Sequence, residues 1–325
     1  MFEIKFNDID GIKLGHAHNK DAATGCSVII CPEGASGGVD VRGGSPGTRE
    51  TDLLNPVEFV DKVHGVVLSG GSAFGLDASA GVMKYLEENN IGFDVGVTKV
   101  PIVCSAVLFD LVIGESNIRP DKTMGYEACI NSEQNLDDIN GNVGAGMGAT
   151  VGKIKGPSFS MKGGLGTYAL QVGELQVGAI VAVNALGDIL DNEKNSFIAG
   201  VLTDDKLSLD NTENIMISQY DNQKNVFSGN TTIGAIVTNA KLNKAQANKI
   251  ATMAQNGFGR AIRPAHTMFD GDTIFSLCTN KIEADINVVG LLAAKVMEKA
   301  IINAVKEADT LHGIVSFKDL NIKNY

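Results

Sequence analysis

A layered α/β domain is predicted by two features of this chain. Residues 26–31, 65–68, 177–184, 232–238 and 273–278 are short, apolar and β-branched runs, which read as strands. Their apolar character is nearly continuous rather than alternating, as in sheets buried on both faces. Three further stretches carry helical caps or helical period, so helices flank the buried strands.

Each helix has a local reason. Ser72 is a good N-cap for a helix running toward Glu88, which Asn89-Asn90 ends. Asn243 starts a second helix, and Gly257 is a natural residue just past its end. Residues 286–307 form the third, with Val289, Leu292, Ala293, Val296, Ala300, Ile301, Ala304 and Val305 on one face. Residues 190–229 are polar, rich in Asn and Asp, and read as a surface excursion with a short hairpin. No repeat, low-complexity tract or linker divides the 325 residues, which read as one domain.

Composition excludes several functions. Hydrophobic residues make up 44%, enough for a sizeable core. A net charge of −11 argues against nucleic-acid binding, which needs a basic patch. No apolar run reaches the ~18 residues of a membrane span. The first ten residues lack a basic region followed by an apolar stretch, so a cytoplasmic protein is expected. The five cysteines fit neither a disulfide framework nor a zinc site and read as buried thiols.

The chemistry concentrates in Arg260-Ala261-Ile262-Arg263-Pro264-Ala265-His266-Thr267-Met268-Phe269-Asp270-Gly271-Asp272. This polar, proline-broken loop delivers one threonine to the start of the strand at 273–278. Threonine is a weak nucleophile unless a base sits beside it. If the bond before Thr267 is cut, its own α-amine, of reference pKa about 7.7–8.0, becomes that base. Read without further context, Thr267 is a loop threonine before a strand, a helix or turn cap. Asp270 and Asp272 are either Asx-turn carboxylates or groups that orient the amine or hydroxyl.

The glycine-rich word from Asn142 to Lys153 contains G-x-G-x-x-A, yet the residues before it are polar rather than a strand. It is no phosphate loop either, because Ile154 follows Gly152-Lys153 and Met147 stands where glycine is required. Nucleotide binding is therefore not expected. Backbone amides of this turn, Gly144 among them, are candidate oxyanion donors.

Longer words carry a resemblance. They are Val41-Arg42-Gly43-Gly44-Ser45-Pro46-Gly47-Thr48-Arg49-Glu50-Thr51, Leu68-Ser69-Gly70-Gly71-Ser72-Ala73-Phe74-Gly75-Leu76-Asp77, Phe109-Asp110-Leu111, Gly141-Asn142-Val143-Gly144-Ala145-Gly146 and Val181-Ala182-Val183-Asn184-Ala185. With the loop around Thr267, the chain resembles the DmpA-type aminopeptidases, a family that includes β-aminopeptidases and nylon-oligomer hydrolases. The resemblance implies a four-layer αββα sandwich of the DmpA and ornithine-acetyltransferase type. It implies self-cleavage between His266 and Thr267, leaving associated subunits 1–266 and 267–325. It implies an amide hydrolase for small peptides or short oligoamides, needing no cofactor and assembled as a tetramer or larger homo-oligomer.

The resemblance also assigns roles. Thr267 is the nucleophile, and the Asn184 amide belongs to an oxyanion hole. Lys153 resembles a lysine near the threonine, where a cation depresses the amine pKa or helps bind the oxyanion. Tyr126 resembles a tyrosine near the substrate carbonyl. Glu298 resembles an acid near the nucleophile, although Val296 stands where relatives place a hydroxyl or acid. His266 precedes the cut, where relatives often carry a different residue, and is expected to tune its speed without being required. Two alternatives stay open: acyl transfer to an amine, as in ornithine acetyltransferases, and an unprocessed homologue without activity.

Overall fold

The computed structural model describes residues 1–134, 140–220 and 229–320. Its strands are β1 (Lys13–Asn19), β2 (Thr24–Val41), β3 (Lys62–Ser69), β4 (Val103–Val107), β5 (Gly164–Val172), β6 (Leu175–Val183), β7 (Asp188–Asp191), β8 (Ser196–Ala199), β9 (Ile233–Ala240) and β10 (Thr273–Ile282). The helices are α1 (Ala78–Glu88), α2 (Lys122–Asn131), α3 (Thr212–Ser218), α4 (Lys244–Ala261) and α5 (Ile286–Lys306). Shorter strands and 3-10 turns lie between them.

Successive strand residues feed two different cores, which explains the lack of polar alternation. On β6, Val177, Ala179, Val181 and Val183 pack with α4 and α5, whereas Ile180 and Ala182 face a central core. On β2 and β3, Ile29, Val66 and Leu68 join that same central core. Their neighbours Val28, Ile30 and Val67 turn the other way, onto α1 and α2. Two helix layers thus cover two sheet layers, the αββα arrangement expected above.

One hydrogen-bonded sheet supplies both inner layers. Its order is β5-β6-β9-β10-β2-β3-β4, with β1 on β2 and short strands at the edges. The long β2 joins the layers: residues 26–30 pair with β3, residues 36–41 pair with β10, and the register slips in between. β9 and β10 run parallel, Ile233 opposite Thr273, and α4 provides the crossover between them.

Four local readings change. Ser72 does not cap α1; its φ is 54° and it opens a 3-10 turn, Ser72–Asp77, before the helix proper starts at Ala78. Asn243 does cap α4, with Gln246 completing a capping box, but the helix runs through Gly257 to Ala261. A Cβ on Gly257 would lie 2.8 Å from the Ala294 carbonyl and from Met297 Cβ, so glycine there permits close approach of α5. α2 has no expected counterpart, because Gly125 is its buried side while Ile130 is exposed, which hides the helical period. Within 190–229, the hairpin exists as β7 and β8, but Leu190, Ile198 and Ala199 are buried, so its base is core rather than surface. Residues 221–228 of that stretch lie outside the described residues.

All five cysteines are buried and unpaired by disulfide. No helix among the described residues is long and apolar enough to cross a membrane.

The packing of α4 onto the sheet rests on Phe258, which is fully buried among strand and helix residues. Phe258→Ala removes a ring that its neighbours cannot collapse to replace. Urea unfolding should show a stability loss of about 3–5 kcal/mol.

Candidate active site

Four chain segments meet at one end of the sheet. Because β9 and β10 are parallel, the loops entering them, 229–232 and 267–272, lie side by side; Asn230 bridges Asp270 and Gly271 N–H donates to Asn230 O at 3.0 Å. β6 is antiparallel to β9, so its C-terminal end brings Asn184 to the same place, where Thr231 N–H donates to Asn184 O at 2.9 Å. The end of β2 supplies a clamp: Gly44 N–H donates to Thr267 O at 3.2 Å and Ser45 N–H to Asp270 O at 2.8 Å. A Cβ on Gly43 would fall 2.3 Å from Asp270 O, which explains one glycine of that charged word.

The loop holds Thr267 against a carboxylate. Its N–H donates to Asp270 Oδ2 at 2.8 Å and its hydroxyl to the same oxygen at 2.6 Å. The hydroxyl in turn accepts Phe269 N–H at 3.2 Å. Asp270 is buried, and burial, reinforced by the neighbouring Asp272 charge, raises its pKa to about 6 despite the Thr267 hydrogen bonds. Asp272 accepts both His266 N–H at 3.0 Å and a contact from His266 Nδ1 at 2.9 Å, while its other oxygen accepts Thr232 N–H. His266 itself has φ of 60°, a left-handed conformation that costs a non-glycine residue on the order of 1–3 kcal/mol. The two carboxylates therefore grip the two residues flanking the His266–Thr267 peptide bond.

Asn184 and Lys153 lie next to this loop. Both are almost wholly buried. Lys153 Nζ donates to Asn184 Oδ1 at 2.7 Å, to Asn184 O at 3.2 Å and to Gly229 O at 3.3 Å. Thr150 N–H also donates to Asn184 Oδ1, at 3.1 Å. The Asn184 Nδ2 group therefore points to Phe109 O at 3.1 Å and Gly229 O at 3.4 Å. Burial lowers the Lys153 pKa to about 7, with Asp270 and Asp110 opposing that shift and Lys162 adding to it. Ser45, Phe109, Gly229, Asn230, Thr231 and Phe269 line a cavity of about 150 Å³ beside these groups. A larger one of about 570 Å³ lies elsewhere, beside Ile113, Ser160 and His312, and contains none of them.

The remaining sequence candidates lie apart. Tyr126 sits on α2 with its hydroxyl donating to Glu88 at 2.7 Å, its ring edge-on to Tyr85. Glu298 on α5 accepts from Asn192 at 2.9 Å and pairs with Arg260, tying α5 to the β7–β8 hairpin and α4. The Gly144 amide is directed to His18 Nδ1 at 3.4 Å, and the next amide, on Ala145, to Ser27 Oγ. Of the glycine-rich word only its end, Thr150 and Lys153, reaches the site. Sequence reasoning missed Lys162 and Asp110, both buried beside it. The signal available for Lys162 was a lone lysine between Met161 and Gly163-Gly164, flanked by apolar strands.

Comparison with known proteins places the chain in a family. The family model described as Peptidase family S58 matches residues 5–317. An uncharacterized aminopeptidase of Mycobacterium leprae is 38% identical, over 95% of this chain and 92% of its own. A 6-aminohexanoate-oligomer endohydrolase of an Agromyces species is 30% identical, over 92% and 85% respectively. Among solved structures, the L-aminopeptidase D-Ala-esterase/amidase of Ochrobactrum anthropi, described as a variant of the Ntn hydrolase fold, superposes with a TM-score of 0.68. That likeness covers 97% of this chain and 92% of the other at 18% identity, so it concerns the fold. With its matched length and its αββα sandwich, the chain belongs to peptidase family S58, as a hydrolase acting on amide bonds.

Proposed function

We propose that the protein is a self-processing amide hydrolase in which Thr267 is the nucleophile, first on its own chain and then on small peptides or short oligoamides. The observation that carries this reading is the pair of hydrogen bonds from Thr267 N–H and Oγ1 to a single oxygen of Asp270. A tight turn would explain the first contact, although Asp270 accepts from three residues back, the opposite sense to an Asx-turn. The second, at 2.6 Å, puts a carboxylate within proton-transfer distance of the hydroxyl.

In processing, Asp270 Oδ2 takes the hydroxyl proton while Oγ1 attacks the His266 carbonyl carbon. The His266–Thr267 C–N bond breaks, the proton passes to the Thr267 nitrogen, and an ester links His266 to Oγ1. Water hydrolyses that ester, leaving a His266 carboxylate, a free Thr267 amine and the restored hydroxyl. The products are residues 1–266 and 267–325. The left-handed His266 backbone favours the cut, since its strain is released with the bond.

In turnover the free amine is the base. It takes the hydroxyl proton during attack on a substrate carbonyl and returns it to the leaving amine, and water then releases the acyl group. Asn184 Nδ2, which donates to Phe109 O and Gly229 O, is the donor assigned to the developing oxyanion, which would replace one of those carbonyls. The Lys153 ammonium polarises the amide from its oxygen side. The small cavity suits a small acyl group. Exposed Phe59, packed edge-on against Phe93, and exposed Val57 supply apolar surface for the homo-oligomer expected of such a chain.

Intact mass of the denatured protein tests the nucleophile. The wild type should give two fragments, 1–266 and 267–325, whose masses sum to that of the chain plus one water, and Thr267→Ala a single uncut species. An uncut wild type would overturn the self-processing reading. Asp270→Asn should slow processing by about 10²–10⁴-fold. Because the Asp270 pKa is raised to about 6, its basic form is present above that pH, so processing should slow roughly tenfold per unit below it. A rate independent of pH between 4 and 7 would remove Asp270 as the base. In the processed enzyme, Asn184→Ala should lower kcat by about 10²–10³-fold in oligoamide hydrolysis.

A further inference from the structure

Lys162 and Asp110 belong to no step described so far, yet both are buried and charged groups beside the site. Lys162 is 0% exposed and sits opposite Thr150 in a short strand pair. Its Nζ donates to the carbonyls of Ala149 at 2.7 Å, Met147 at 3.0 Å and Gly146 at 3.4 Å. Asp110 is 2% exposed and accepts Gly71 N–H at 2.7 Å and the Thr24 hydroxyl at 2.7 Å. Burial lowers the Lys162 pKa to about 7 and raises that of Asp110 to about 6, and the charge of each opposes the shift of the other.

The two groups reach Asn184 from opposite sides. The Ala149–Thr150 peptide has its oxygen on the Lys162 ammonium and its N–H on Asn184 Oδ1. A cation on the carbonyl polarises that peptide and strengthens its N–H as a donor. On the other side, Asp110 pins the turn through Gly71 and Thr24, and the preceding carbonyl, Phe109 O, accepts from Asn184 Nδ2.

A carboxamide has nearly the same shape either way round, so only its partners decide which end is oxygen. If Asn184 flipped, its oxygen would face the Phe109 and Gly229 carbonyls, and its NH₂ would face the Thr150 N–H and the Lys153 ammonium. Every one of those contacts would be like against like. A buried pair of opposite charges, here bonded to other groups rather than to each other, adds little net stability compared with apolar residues of equal volume. Its position around one carboxamide gives it a different use.

We infer that Lys162 and Asp110 are positioning residues that fix the orientation of the Asn184 carboxamide, and so the direction of its N–H groups. This rests on the role of Asn184 proposed above.

A double-mutant cycle tests it in the processed two-subunit enzyme. Lys162→Met should lower kcat for oligoamide hydrolysis by about 10–100-fold, as loss of supporting contacts around reactive groups does. In an Asn184→Ala background the same change should have little further effect, since the group being oriented is gone. Equal losses in both backgrounds would overturn the inference and leave the proposed function intact. Should Lys162→Met not fold, Asp110→Asn, which preserves shape, takes its place in the same cycle. A second measurement does not depend on activity: side-chain amide hydrogen exchange at Asn184 by ¹⁵N NMR. Protection in the wild type should fall at least tenfold in the variant, and unchanged protection would overturn the positioning role even if the wild type proved inactive.

Discussion

The parallel pairing of β9 with β10 is the constraint on which the site depends. Parallel neighbours start at the same end, so the loops that enter them are forced together although about forty residues of chain, including α4, separate them. Antiparallel pairing then adds two more termini to that end: β6 finishes there with Asn184, and β2 finishes there with the Arg42–Ser45 clamp. Thr267, its carboxylate, the Asn184 carboxamide and the clamp converge without any of them being near in sequence except the first two. Rigid strands hold the backbone of each loop, as the proposed nucleophile needs if its distance to a base is to stay within hydrogen-bond range.

That convergence also concentrates charge. Lys153, Lys162, Asp110 and Asp270 are all buried in one region, and burial pushes each toward its neutral form. The lysines arrive near 7 and the aspartates near 6, so four groups that would ordinarily titrate far apart are brought close to neutrality. Opposite charges limit the shifts of Lys153, Lys162 and Asp110, and hydrogen bonds limit that of Asp270, so the lysines remain cationic at mildly acidic pH. An apolar cluster of the same volume would stabilise the fold at least as well. The charges are better understood through what they hold: backbone carbonyls, a carboxamide and the hydroxyl of Thr267.

Much of this was legible in the residues, and the exceptions have physical causes. The five strand runs were readable because burial on both faces removes polar alternation, and the Asn243 cap because its side chain makes a local bond. α2 was not, since glycine lies on its buried side and isoleucine on its exposed one. Ser72 misled because a serine's capping ability says nothing of a left-handed backbone imposed by its neighbours. Thr267 and Asp270 are three residues apart, so their contact was foreseeable as a turn. Lys162 and Asp110 were invisible as a pair, because only the sheet brings positions 110, 149, 162 and 184 together. Tyr126 and Glu298 show the converse, where a familiar-looking word holds a residue whose hydrogen bonds serve helix packing.

The two carboxylates after the threonine also explain how one residue can serve two reactions on the proposed pathway. Before cleavage the Thr267 nitrogen is an amide and has no lone pair available as a base. The proton must go elsewhere, and Asp270 is the group within reach, its pKa raised enough to accept it yet low enough to be ionised at neutral pH. Asp272 meanwhile holds the residue on the other side of the bond, through both backbone and ring of His266. After cleavage the nitrogen becomes an amine and takes over as base, leaving Asp270 to orient it. A base needed only once is thus supplied by a buried carboxylate, and a base needed at every turnover by the product of that first reaction. The ordering follows from the chemistry of the amide bond alone, and it accounts for a carboxylate three residues from a nucleophile that would otherwise carry its own base.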